Sequence, residues 1–195
     1  MARLILLRHG VTDWNREGRY QGQSDTPLNE EGVVQARRLI DMLESEGISR
    51  VVSSDLKRAS ETARILAEGL QLGSPSYDAR LREIDLGQWE GRLAIEIARQ
   101  DAQAWAARLR DPVNVAAPGG ETTLQVAQRV WACLDEIAGQ AGEAPVAVVS
   151  HGLALATALC RARKLPLDQA GEIEPENAEP IPVDWPGPST RRAAE

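Results

Sequence analysis

The chain contains only two histidines, and each precedes a glycine at the end of a short apolar run. Leu4-Ile5-Leu6-Leu7 leads into Arg8-His9-Gly10, and Pro145–Val149 leads into Ser150-His151-Gly152. Apolar runs of this length suit central strands covered on both faces. In sheets made of such strands, ligands bind outside the carboxyl ends, so both imidazoles are expected at one binding edge. A third run, Ile48–Ser53, leads to the same edge, and Arg58 falls in the first turn of the helix predicted after it. Arg8, His9, Arg58 and His151 can therefore converge.

Such a cluster is costly without an anion, because like charges repel and burial disfavours each charged form. A phosphate dianion resolves the conflict. Arginine forks grip phosphate oxygens bidentately, so two arginines and one histidine can neutralise the charge that spreads over a phosphoryl group in flight. The second histidine is then free to attack, and neighbouring guanidinium groups keep its lone pair available by lowering its pKa. A metal site fits less well: no His-x-His, HExxH or CxxC spacing occurs, and adjacent arginines repel a cation. No metal or cofactor is expected. Either histidine alone could equally be a polar residue satisfied at a sheet end, and only the combination with the arginines favours chemistry.

The elements that must position these groups follow from periodicity and capping. Asn29 suits the N-cap of a helix carrying Val33, Ala36, Leu39, Ile40 and Leu43 and closing near Gly47. Asp55 is placed to cap the helix that holds Arg58. Leu81–Gly91 reads as a loop, residues 92–110 as one or two helices within a pocket cover over 92–117, and Thr122 with Gln125 as a capping box opening the next helix. A helix over Leu153–Ala162 and an edge strand over Ile181–Trp185 complete the order. Trp14, Trp89, Trp105 and Trp131 read as packing residues rather than substrate platforms. Strands alternating with helices predict a three-layer α/β/α sandwich around a mostly parallel sheet. With 195 residues, 43% of them apolar, one domain over 1–185 is expected, with a disordered tail over 186–195.

Charge excludes a function class. The 29 acidic residues outnumber the 22 basic ones, and the net charge of -7 is the wrong sign for holding nucleic acid. Cys133 and Cys160 suit a core rather than a disulfide framework. The apolar start is too short for a signal segment or membrane span, which makes a cytoplasmic location the default expectation and a membrane partner unexpected. The oligomeric state is left open, a homodimer among the options.

Leu7-Arg8-His9-Gly10-Val11-Thr12-Asp13-Trp14-Asn15 resembles the signature of the histidine phosphatase superfamily, which includes cofactor-dependent phosphoglycerate mutases. Further blocks resemble that family in its order: Gly22–Gly32, Ser53–Ala63, Leu81–Gly91, Pro118–Thr122 and Ser150-His151-Gly152. The resemblance implies a phosphoglycerate mutase-like fold, phosphorylation of His9, and binding of the phosphoryl group by Arg8, Arg58 and His151. It implies a further phosphate contact from Asn15, and a substrate pocket that includes Gln21, Gly22 and Gly152. Glu83 matches the family's general acid. Where the mutases carry a basic run bearing histidine and tyrosine after that acid, this chain reads Ile84-Asp85-Leu86-Gly87-Gln88-Trp89, which resembles the phosphatase branch. Many relatives also carry an arginine in the helix after the second His-Gly, whereas this chain runs Leu153-Ala154-Leu155-Ala156-Thr157. The expected activity is a metal-independent phosphomonoesterase acting on a small phosphorylated metabolite. A phosphoglycerate mutase and a non-catalytic phosphate-ligand binding protein are the alternatives.

Overall fold

A computed structural model describes residues 1–187; residues 188–195, most of the expected tail, lie outside the described residues. In chain order the elements are β1 (Ala2–Arg8), α1 (Asp13–Glu17), α2 (Glu30–Leu43), β2 (Arg50–Ser53), α3 (Lys57–Gly69) and β3 (Ser76–Tyr77). They continue with α4 (Ala94–Gln100), α5 (Ala102–Arg110), α6 (Thr123–Gly139), β4 (Val146–Ser150), α7 (Gly152–Ala162) and β5 (Pro180–Trp185). Short 3-10 turns lie at Ala79–Leu81, Gly87–Trp89 and Leu167–Glu172.

The sheet order is β3-β2-β4-β1-β5. All neighbours are parallel except β5, which runs antiparallel to β1. Side chains alternate across a strand, and the central strands show why they read as continuous apolar runs. Leu4 and Leu6 of β1 and Val146 and Val148 of β4 face a core shared with α6 and α7, whereas Ile5, Leu7, Ala147 and Val149 face a second core under α2 and α3. Both faces are covered, giving the three layers expected.

Local signals explain most boundaries. Asn29 caps α2 by accepting the Gly32 N–H, and Thr122 and Gln125 form the capping box of α6. Asp55 does not cap α3: the N-cap is Leu56, without a side-chain hydrogen bond, and the Asp55 carboxylate is taken by both ends of the Arg82 guanidinium at 2.7 and 2.5 Å. A charged fork outcompetes a backbone N–H for a carboxylate. The edge strand β3 and the turn at Leu167–Glu172 are additions; a two-residue exposed strand has too little pattern to be read.

Close packing places α2 against the loop after β1. A Cβ at Gly10 would lie 2.4 Å from the Gly32 carbonyl oxygen, and one at Gly32 would lie 2.1 Å from that of Val11. Only glycines allow the His9 loop to rest on the first turn of this helix.

Candidate active site

Because β4 is inserted between β2 and β1, the two His-Gly turns emerge side by side. Arg8 is in register with Ser150, and the His9 N–H donates to the Ser150 carbonyl at 3.1 Å. The two imidazole centroids are 5.2 Å apart. His9, Arg58 and His151 are almost fully buried.

The tautomer of His9 follows from its partners. Nδ1 lies 2.7 Å from the Gly10 carbonyl, which can only accept, so Nδ1 carries the proton. Nε2 keeps a lone pair and faces the Nε–H of Arg58 at 3.2 Å. Burial, then the charges of Arg58 and Arg8, hold the His9 pKa well below its ordinary value, against the smaller opposing effect of the Gly10 hydrogen bond. The ring is neutral at physiological pH with its free nitrogen toward the cationic cluster. His151 is likewise depressed by burial and then Arg58; its Nε2 is 2.8 Å from Ser54 Oγ, and its Nδ1 has no partner.

Arg58 is held by backbone acceptors. Its Nη2 donates to the Gly22 carbonyl and its Nη1 to the Ser24 carbonyl, each at 2.8 Å. Burial lowers its pKa to about 10, which leaves it cationic at neutral pH. The loop supplying those carbonyls is fixed by Glu90, whose carboxylate accepts from the Gln23 N–H and Ser24 Oγ. Gly22 has φ +53°, and a Cβ there would lie 2.1 Å from Glu90 Oε1. Thr62 Oγ accepts the Gly10 N–H at 3.1 Å and donates to the Arg58 carbonyl at 2.7 Å, tying the His9 turn to α3.

Arg8 donates from Nη1 to the Pro175 carbonyl at 2.9 Å, while its buried Nε has no partner. Buried polar atoms are rarely left unpaired. Two such atoms, Arg8 Nε and His151 Nδ1, belong to the two His-Gly turns.

Glu83 lies at the amino end of α7, where its carboxylate accepts the N–H groups of Leu153 and Ala154, both at 3.1 Å, and of Ile84 at 2.9 Å. Gly152 lies beside both groups: a Cβ there would be in ordinary contact with Glu83 Oε2 at 3.5 Å and Arg8 Cζ at 3.7 Å. Arg129 of α6 braces this loop, donating to the carbonyls of Arg80, Arg82 and Glu83 and to Glu121.

Around these groups is a cavity of about 640 Å³. Every residue singled out from the sequence except His151 lines it: Arg8, His9, Arg58, Glu83, Asn15, Gln21, Gly22 and Gly152. His151 adjoins His9 and is fully buried. The acceptors of Asn15 and Gln21 are occupied, with Asn15 Oδ1 taking the Thr12 N–H and Gln21 Oε1 the Thr26 hydroxyl. Each is therefore left with its amide donors for a ligand.

Some of the cavity was not legible in the sequence. Trp14, Trp89 and Trp105 line it as well as pack, and Tyr20, Arg108 and the segment Ile173–Pro175 complete it. Trp105 and Arg108 are three residues apart on α5, one helical face, a spacing that could have singled Arg108 out from Arg92, Arg99 and Arg110. The Pro175 segment has no such signal. No group of three or more His, Cys, Asp or Glu side chains placed to hold a metal ion occurs among the described residues.

This is an α/β protein with a cation-lined cavity at the carboxyl edge of a mostly parallel sheet. Its chain matches the histidine phosphatase superfamily (branch 1) over residues 4–191 and belongs to that superfamily. Among curated proteins it is 35% identical over 186 residues to a probable phosphoglycerate mutase GpmB of Proteus mirabilis, covering 95% of this chain and 86% of that one. Among solved structures it resembles a mycobacterial glucosyl-3-phosphoglycerate phosphatase complexed with VO3, with TM-score 0.84, 35% identity, and 94% and 91% of the two chains covered. The alpha-ribazole phosphatase of Shigella flexneri has TM-score 0.85 and 28% identity, with 93% and 90% covered. No helix among the described residues is long and apolar enough to cross a membrane.

Proposed function

We propose that the protein is a metal-independent phosphomonoesterase that works through a phosphohistidine at His9. The observation that carries this reading is the locked tautomer of His9, with Nδ1–H on Gly10 and the free Nε2 turned to Arg58. The ester's phosphoryl group sits against Arg8, Arg58 and His151, where Arg8 Nε and His151 Nδ1 are still without partners. His9 Nε2 attacks phosphorus as the ester P–O bond breaks, and protonated Glu83 gives its proton to the departing alkoxide. Glu83 then removes a proton from water, which attacks the phosphohistidine and releases inorganic phosphate and free His9. Arginine charge takes the place that a metal ion fills in other phosphoryl-transfer sites.

The test is phosphate release from p-nitrophenyl phosphate in EDTA, together with trapping of an acid-labile, base-stable phosphoenzyme. Both should vanish in His9→Ala; turnover persisting in that variant would sink the mechanism. The curated relatives named as phosphoglycerate mutases favour a second reading, in which the phosphoryl group returns to an organic acceptor. Conversion of 3- to 2-phosphoglycerate with a bisphosphoglycerate primer would select it.

A further inference from the structure

We infer that Ser54 is a positioning residue for phosphoryl transfer: its hydroxyl donates to His151 Nε2 and so keeps the imidazole proton on Nδ1, the nitrogen left for the phosphoryl group. The part this plays in turnover rests on the phosphomonoesterase reading, whereas the place of the proton does not.

Ser54 directly follows β2 and is fully buried. Its backbone is anchored to the neighbouring strand, the N–H donating to the Val149 carbonyl at 2.9 Å. Its Oγ accepts the Leu56 N–H at 3.3 Å, a local turn of the kind serine side chains make with backbone two residues on. That contact aims the oxygen at His151 Nε2, 2.8 Å away and 97 positions along the chain. A hydroxyl has one proton to give. Among the described residues, Ser54 Oγ has no partners besides the Leu56 N–H and His151. Were Nε2 to donate instead, the buried hydroxyl proton would lack an acceptor. His151 Nδ1, which has no partner in the protein, would then offer a lone pair to the incoming phosphate oxygens. Both arrangements are costly. With the hydroxyl donating, the one unmatched group on the ring is Nδ1–H, which a phosphoryl oxygen satisfies.

The choice of nitrogen matters because His151 is neutral. Burial, then the charge of Arg58, holds its pKa well below the ordinary value, with His9, Arg129 and Arg8 acting in the same direction. The ring therefore has a single N–H. On Nδ1 it is a fixed donor to oxygens that gain charge as phosphorus is attacked. On Nε2 it would be spent on Ser54.

With only two histidines in the chain, ring-nitrogen spectra test this directly. In untagged protein labelled with nitrogen-15 in its histidine rings, in phosphate-free buffer near neutral pH, long-range ring correlations identify the protonated nitrogen, and His9→Gln assigns the signals. His151 should show a protonated Nδ1 and a bare Nε2. Ser54→Ala should move its signals toward a mixture of the two forms while those of His9 stay. In the same variant kcat on p-nitrophenyl phosphate should fall about ten- to a hundred-fold with KM little changed. Ser54→Thr, which keeps the hydroxyl, should recover the Nδ1–H form and most of kcat. A proton on Nε2 in wild type overturns the inference without any variant. A slowed Ser54→Ala enzyme with unaltered His151 signals overturns it too, since a serine that merely shapes the start of α3 would act that way. Shifted signals with full kcat remove Ser54 from positioning. If wild type releases no phosphate from the ester, the phosphomonoesterase reading fails instead, and the ring signals still decide where Ser54 puts the proton.

Discussion

Acidifying the solution from pH 7.5 to pH 5.5 should weaken the fold through its two histidines. Both rings are buried and held well below the ordinary value of 6.5, chiefly by burial and then by Arg58. In the unfolded chain each titrates near 6.5, so below that pH the unfolded state binds more protons than the folded one. Stability then rises with pH and falls as pH drops from 6.5 toward the folded values. With the folded rings neutral throughout, the loss over this window is about 1 to 2 kcal/mol per ring and roughly 3 kcal/mol for the pair. The assay is urea unfolding in phosphate-free buffers for wild type, His9→Gln and His151→Gln. Carboxylate effects common to all three cancel in the comparison, and each variant should lose about 1 to 2 kcal/mol less than wild type between the two pH values. Parallel losses would show that the folded rings titrate as freely as in the unfolded chain, and the case for a neutral His9 Nε2 would fall with it. Inorganic phosphate should restore part of the lost stability, because a bound dianion favours the protonated ring.

Glu83→Gln should slow phosphoryl transfer by about 10²- to 10⁴-fold while leaving inorganic phosphate affinity nearly unchanged, as single-turnover kinetics and calorimetry would show; full activity would remove Glu83 from its role. Gly22→Ala must place a Cβ on Glu90 at φ +53° and disturb the carbonyl that holds Arg58. A loss of about 1–3 kcal/mol in thermal unfolding, with reduced turnover, is expected, and an unaltered Tm would contradict it. Arg129→Met removes the brace on the Glu83 carbonyl, so kcat should fall about tenfold with KM little changed, for about 1.4 kcal/mol of lost transition-state stabilisation. A change in KM alone would assign Arg129 to binding rather than to positioning the acid.

Much of this was written locally. The apolar runs at Leu4–Leu7 and Pro145–Val149, each closed by His-Gly, identify strands covered on both faces and put the histidines at their carboxyl ends. Asn29 and the Thr122–Gln125 box mark helix starts because a cap involves only residues three apart. The same logic failed at Asp55, whose carboxylate had a stronger partner 27 positions away in Arg82. Capping strength can be read in a window, and competition for a side chain cannot.

The residue types at the site and the α/β class thus lay in the sequence itself, since periodicity and capping arise between near neighbours. The tertiary structure decided the rest. Inserting β4 between β2 and β1 sets His151 beside His9. The Gly22 and Ser24 carbonyls aim Arg58, and Pro175, far along the chain, anchors Arg8. Of four arginines on the cover, Arg108 is the one that lines the cavity with Tyr20 and Trp105. These are pairings between distant segments, fixed only when the whole chain must satisfy its buried polar groups at once.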